Sequence, residues 1–157
     1  MSERAPICPY CGRPSKLVTG AAIYTPCPPD LLARYFWRCD PCDAHVGCHR
    51  ANNGMRQTFN DGKVPLGRLA NPELRMWKGN AHAVFDGYWQ RRLDAEIRSR
   101  GGHAPKGIKQ RHRTEAYKRL AQDLKIEQDQ CHIGMFDVDM CKRVVRVVRA
   151  WTGDNPI

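Results

Sequence analysis

The sequence predicts an α+β protein: short antiparallel strands come first, and a mainly α-helical part of three or so helices follows. Three observations predict it. Six of the eight cysteines and two of the six histidines crowd into residues 8–49. Runs of strand length, β-branched and aromatic, lie between those cysteines. Beyond residue 64, apolar side chains recur every three or four positions, the period of a helix. The expected organisation is a small stapled subdomain over residues 1–50, a loop over 51–64, and a helical part over 65–157 that carries a basic flexible loop at 98–113.

The strands are expected from KLVTGAAIY and RYFWRC, joined through the proline-rich turn TPCPPD, with AHVGCH completing the last strand and Cys48 packed as a small apolar residue. Cys8-x2-Cys11 and Cys39-x2-Cys42 form two knuckles separated by 27 residues. Tetrahedral zinc takes four soft ligands at about 2.3 Å, and two short knuckles on facing hairpins deliver them without strain. Pro9, Gly12 and Pro41 supply the tight turns. The spacing is that of a zinc ribbon holding one structural Zn2+ on Cys8, Cys11, Cys39 and Cys42, because a four-cysteine site leaves no coordination position open for catalysis. Replacement of one cysteine ligand by His45 or His49 is the alternative, and Cys27 is spare.

The totals agree with a metal site. At 157 residues the chain is about one domain, or a core domain with a small appendage. No apolar run approaches the roughly 20 residues of a membrane span, so no membrane partner is expected. MSERAPICPY carries no apolar core of a secretory signal, so a reducing cytoplasm is expected. There, clustered cysteines read as metal ligands before disulfides.

Asn52–Lys63, NNGMRQTFNDGK, is a polar loop at the subdomain boundary. Asn71 then caps a helix that has Pro72 at its first position, with Leu74, Trp77, Ala81, Phe85 and Tyr88 as its apolar stripe and Gly79 and Gly87 as places for a bend. A second helix is expected from Thr114 as its cap, with Tyr117, Leu120, Ala121 and Leu124 on one face. A third begins at Asp137, with Val138, Cys141, Val145 and Val148 inward and Lys142, Arg143, Arg146 and Arg149 outward. The last two are expected to pair as a helical hairpin.

The formal net charge of +10 and pI near 9.5 call for a polyanionic partner or an acidic protein surface. RSRGGHAPKGIKQRHR, residues 98–113, holds six basic residues and no acid. Arg98, Arg100, Lys106, Lys109, Arg111 and Arg113 on this segment, with Lys142, Arg143, Arg146 and Arg149, are the candidate phosphate contacts. Tyr24, Phe36 and Trp37 are candidate base-stacking surfaces.

CPYCG, CDAxVGCH, PLGxLAN with ELR, AHxxFD with a nearby Trp, AYxxLA and CHIGMFD, taken together, resemble a zinc-finger-containing domain family of unknown function found in phage and prophage proteins. The likeness spans nearly the whole chain except about residues 94–111, so the basic segment is expected to be an insertion. It implies a phage-type protein in a bacterial host cytoplasm, with a zinc-bound N-terminal part and a helical remainder, and it brings no catalytic residues. Cys27 departs from the pattern.

His82 and Asp86 stand four apart on one helix face and, with His132, are the candidates for a general-base or metal-assisted site. His132 is also placed to fix a turn or to pack on His82. The chain has no Gly-rich phosphate loop, nucleophile elbow or HExxH. The leading expectation is therefore a non-enzymatic protein that binds DNA or RNA. A protein-binding modulator of a host machine such as RNA polymerase or a defence complex is the alternative, and a nucleic-acid-processing enzyme stands third.

Overall fold

The computed structural model describes residues 5–52 and 61–153. Two compact units share the chain, Met1–Arg75 and Met76–Ile157. Most of the polar loop expected at Asn52–Lys63 lies outside the described residues.

The first unit is a three-stranded antiparallel sheet in the order β1 (Lys16–Thr19), β2 (Tyr35–Cys39), β3 (Ala44–Gly47). Leu17 pairs with Trp37 and Trp37 with Val46. Because side chains alternate across a strand, this register puts Leu17, Trp37 and Val46 on one face. That face packs into a core of Cys8, Trp37, Cys39, Ala44, Cys48 and Leu69. The first strand is shorter than the run KLVTGAAIY suggests, since the chain turns at Thr19 into a one-turn helix, α1 (Gly20–Ile23). Gly20 explains the turn: a Cβ there would stand 2.0 Å from the Leu31 carbonyl oxygen, an approach only glycine allows. Residues 61–75 belong with this unit. Ala70 exchanges backbone hydrogen bonds with His45 at 3.0 and 2.9 Å, and Leu69 is buried in the core.

The second unit is helical. Helix α2 (Pro72–Ser99) starts at the end of the first unit and runs 28 residues without a break through Gly79 and Gly87. Its start is capped as expected: the Asn71 side chain accepts from the Leu74 N–H at 2.9 Å. Ala81, Phe85, Tyr88, Trp89 and Leu93 form its buried stripe. Helix α3 (Ile108–Leu124) begins six residues before Thr114, so the expected cap at Thr114 is wrong. It follows that only about half of 98–113 is a connection: Arg98 lies in the last turn of α2, and Lys109, Arg111 and Arg113 lie on α3. Two buried side chains in the basic run, Ile108 and His112, pull it into the helix. Helix α4 (Val138–Thr152) starts where Asp137 caps it, accepting from the Met140 N–H at 2.9 Å. Cys141, Val144, Val145 and Val148 are its buried face. Helices α3 and α4 pack together, and the Arg143 guanidinium donates to the Leu124 carbonyl at 3.0 Å.

Candidate functional site

Each knuckle is a tight turn closed by its own backbone. In the first, the Gly12 N–H donates to the Cys8 carbonyl at 2.9 Å and the Cys8 N–H to the Arg13 carbonyl at 2.8 Å. In the second, the Asp43 N–H donates to the Asp40 carbonyl at 3.1 Å. The residue after each second cysteine takes the left-handed conformation, Gly12 at φ 72° and Asp43 at φ 47°. The two loops are thus built alike, with glycine in one and a strained aspartate in the other.

The four sulfurs of Cys8, Cys11, Cys39 and Cys42 lie within 4.8 Å of one another, and Cys11 and Cys39 are 3.6 Å apart. A tetrahedron with ligands at 2.3 Å has edges of about 3.8 Å, so these residues fit one zinc ion. Among the described residues this is the one group of histidine, cysteine or acidic side chains arranged to hold a metal. His45 and His49 are outside it. Cys48, 2% exposed, is packed in the core.

The electrostatics fit a cation as well. The Arg13 backbone N–H, aided by sulfur hydrogen bonds against the opposing effect of burial, holds the Cys11 thiol down to about 7. Burial, then the neighbouring sulfurs of Cys11, Cys39 and Cys8, pushes Cys42 up to about 12. One thiolate therefore forms near neutrality and opposes the next. A divalent ion removes that opposition and keeps all four deprotonated.

Arg75, in the first turn of α2, clamps the second knuckle. Its guanidinium donates to the Asp43 carbonyl at 2.7 Å and the Ala70 carbonyl at 2.8 Å, and meets the Asp43 carboxylate at 3.3 Å. Its Nη1 also lies 3.4 Å from His45 Nδ1. Burial, then the charge of Arg75, holds His45 below its ordinary value, so the ring is neutral at pH 7. This clamp was not legible in the sequence beyond the presence of an arginine in a helix start, because its partner in the knuckle, Asp43, lies 32 residues away.

The ten candidate phosphate contacts divide into two kinds. Glu96 takes hydrogen bonds from Arg111 at 2.5 and 2.6 Å, from Arg100 at 3.1 and 3.3 Å, and shares one of 2.5 Å with His112. Arg113 lies over the Tyr117 ring, Lys142 over Trp77, and Arg143 on the end of α3. Arg98, Lys106, Lys109, Arg146 and Arg149 are exposed, with no ion pair or side-chain hydrogen bond among the described residues. Of the three proposed stacking aromatics, Phe36 and Trp37 are each 7% exposed, so neither offers a ring to a base. Trp37 is a core residue whose indole N–H donates to the Lys63 carbonyl at 2.7 Å. Tyr24 keeps an open face but packs edge-on against Phe36.

His82, Asp86 and His132 do not form a metal site. The Asp86 carboxylate accepts from the Trp89 indole at 2.9 Å. Burial holds His82 below its ordinary value against the raising effect of Asp86. His132 faces the Tyr117 ring, centroids 6.5 Å apart. The thiols of this unit are inert: burial pushes Cys131 and Cys141 each up to about 11, so both are protonated at neutral pH.

Among the described residues, no helix is long and apolar enough to cross a membrane. No curated protein and no solved structure matches the chain. A family model described as a zinc-finger-containing domain matches residues 4–101 and 105–151. The basic segment is therefore not an insertion, since only residues 102–104 fall between the matched stretches. With the four cysteines gathered at zinc-binding distance and the model covering nearly the full length, the chain belongs to the zinc-finger-containing domain family.

Proposed function

We propose that this protein binds nucleic acid, with the zinc ribbon as a folded scaffold and the helical unit as the phosphate-contacting part. The observation that carries the reading is the acid-free run from Arg98 to Arg113. It folds into the end of α2, a glycine turn and the start of α3, and leaves Arg98, Lys106 and Lys109 exposed and uncommitted. Glu96, just before it, is shared by Arg100, Arg111 and His112, so that one carboxylate is spread over several donors and the run keeps its positive excess. Helix α3 has no acidic residue in its first turn, and its positive dipole end adds to Lys106 and Lys109. Exposed Arg146 and Arg149 on α4 add to the positive charge of the helical unit. The role is electrostatic capture of phosphates and not catalysis.

The test is fluorescence anisotropy of labelled single-stranded DNA, duplex DNA and RNA with zinc-loaded protein over a salt series, with the probes run on a gel afterwards. Micromolar or tighter binding that falls steeply with salt supports the reading, and shortened probes would transfer it to an enzyme. A second reading, docking on a host protein, is favoured by the exposed Ile7, Leu32 and Leu66 of the ribbon unit, at 58%, 53% and 52% exposure. Flat anisotropy with all three probes would select it.

A further inference from the structure

Three separate stretches of the helical unit converge around Tyr117. From α2 comes Phe85, whose ring centroid is 4.5 Å from that of Tyr117. From α3 comes Arg113, its guanidinium 5.6 Å over the same ring, and from the turn before α4 comes His132 at 6.5 Å. Beside them opens a cleft of about 240 Å³ lined by Gln110, Arg113, Thr114, Tyr117, Gln128 and His132, with Cys131. No carboxylate lines it.

We propose that this cleft holds one unpaired nucleotide of a bound nucleic-acid strand, its phosphate on Arg113 and His132 and its base against the Arg113–Tyr117 stack. The inference rests on the nucleic-acid reading above and names the place where a base is taken. The chemistry of the lining selects this ligand. A guanidinium stacked on a tyrosine presents a flat cationic platform to a base, while its remaining N–H groups reach phosphate. The Gln110 and Gln128 carboxamides offer donors and acceptors to base edges, and the Thr114 hydroxyl, which accepts from Gln110 at 3.2 Å, keeps its own proton to donate. The volume is below the roughly 300–1,000 Å³ of pockets for drug-sized ligands, so it suits the base of a nucleotide whose sugar and phosphate stay at the rim. The cleft also continues the basic surface. Lys109, Arg113 and Tyr117 follow one another at four-residue spacing on α3, which places them along one face. A strand held on Lys109 is thereby led to the recess. A paired base cannot turn out into it without breaking its pair, so single strands should bind more tightly than duplex.

The experiment compares a labelled single strand of about twelve nucleotides, within the site sizes of such proteins, with the same sequence as duplex. Wild-type protein, Arg113→Gln, Gln128→Ala and Lys109→Gln are titrated, with circular dichroism as the fold check. Gln128 sits on an exposed single turn, so its variant keeps the test alive if Arg113→Gln unfolds. Single-strand binding about 10-fold tighter than duplex is expected from the stacking of one base in the cleft. Gln128→Ala and Arg113→Gln should reduce that preference, and Lys109→Gln should weaken both probes alike. Equal affinity for the two probes, or a preference unchanged in both cleft variants, overturns the cleft while leaving nucleic-acid binding intact. No binding by either probe overturns both.

Discussion

Arg75 donates to the Asp43 carbonyl at 2.7 Å and also meets the Asp43 carboxylate at 3.3 Å, so one guanidinium holds both the backbone and the side chain of the residue after the last cysteine ligand. The carboxylate is well exposed, and solvent screening leaves that ion pair worth little. The two carbonyl bonds, to Asp43 and Ala70, carry the clamp. Arg75→Ala should destabilise the zinc-loaded ribbon by about 1–3 kcal/mol, as bonds from a charged donor disappear. Urea unfolding of the two proteins, each with zinc bound, measures it. Asp43→Asn keeps the carbonyl and should lose much less.

Removal of a metal ligand is more severe. Cys39→Ser replaces a buried thiolate of the four-sulfur cluster, and because structural zinc supplies folding free energy the variant should release the ion and lose the ribbon. Zinc content by atomic absorption and near-ultraviolet dichroism check this. One zinc per chain at wild-type stability would refute the four-cysteine site.

Gly12 and Gly79 make opposite predictions from the same substitution. Gly12 sits at φ +72° in the first knuckle with nothing within 4 Å of an added Cβ, so Gly12→Ala meets only backbone strain of about 1–2 kcal/mol. Gly79 lies exposed inside α2, also with open space around it. Gly79→Ala should stabilise by about 0.5–1 kcal/mol through helix propensity. Thermal melts of both variants compare the two signs.

Glu96 gives a pH signature. Hydrogen bonds from Arg111, then His112 and Arg100, lower its carboxyl from the ordinary 4.5 to about 2 despite burial. A carboxyl lowered on folding stabilises the native state above its unfolded value, and that contribution disappears as pH falls through the folded one. The stability gap between wild type and Glu96→Gln should hold steady from neutrality to about pH 5, then shrink towards pH 2. Helical signal in urea, measured on both proteins across that range, reads the gap. A gap independent of pH would mean that Glu96 does not form this cluster in solution.

What the sequence made legible is what local chemistry decides. The two knuckles, the caps at Asn71 and Asp137 and the buried stripe of α4 each depend on residues within a turn or two of one another. The start of α3 was hidden because His112 is drawn inward by Glu96, 16 residues earlier, and because Ile108 is a lone apolar residue in a basic run. The early end of β1 depends on Leu31, which Gly20 meets only in the folded chain. Phe36 and Trp37 read equally as core or as stacking surfaces in a sequence, and the small unit uses both to fill its interior. His82 and Asp86 remain electrostatic neighbours on α2, but the Asp86 carboxylate is taken by Trp89 and His132 turns to the Tyr117 ring.

The salt dependence of nucleic-acid binding tests the functional reading most directly. The logarithm of the binding constant for a single strand should fall linearly with that of salt, and replacing Lys106 and Lys109 together by glutamine should make the slope shallower by about 0.7 for each phosphate that is no longer neutralised. A shallow wild-type slope, or one that the double substitution leaves unchanged, would contradict phosphate capture by the start of α3.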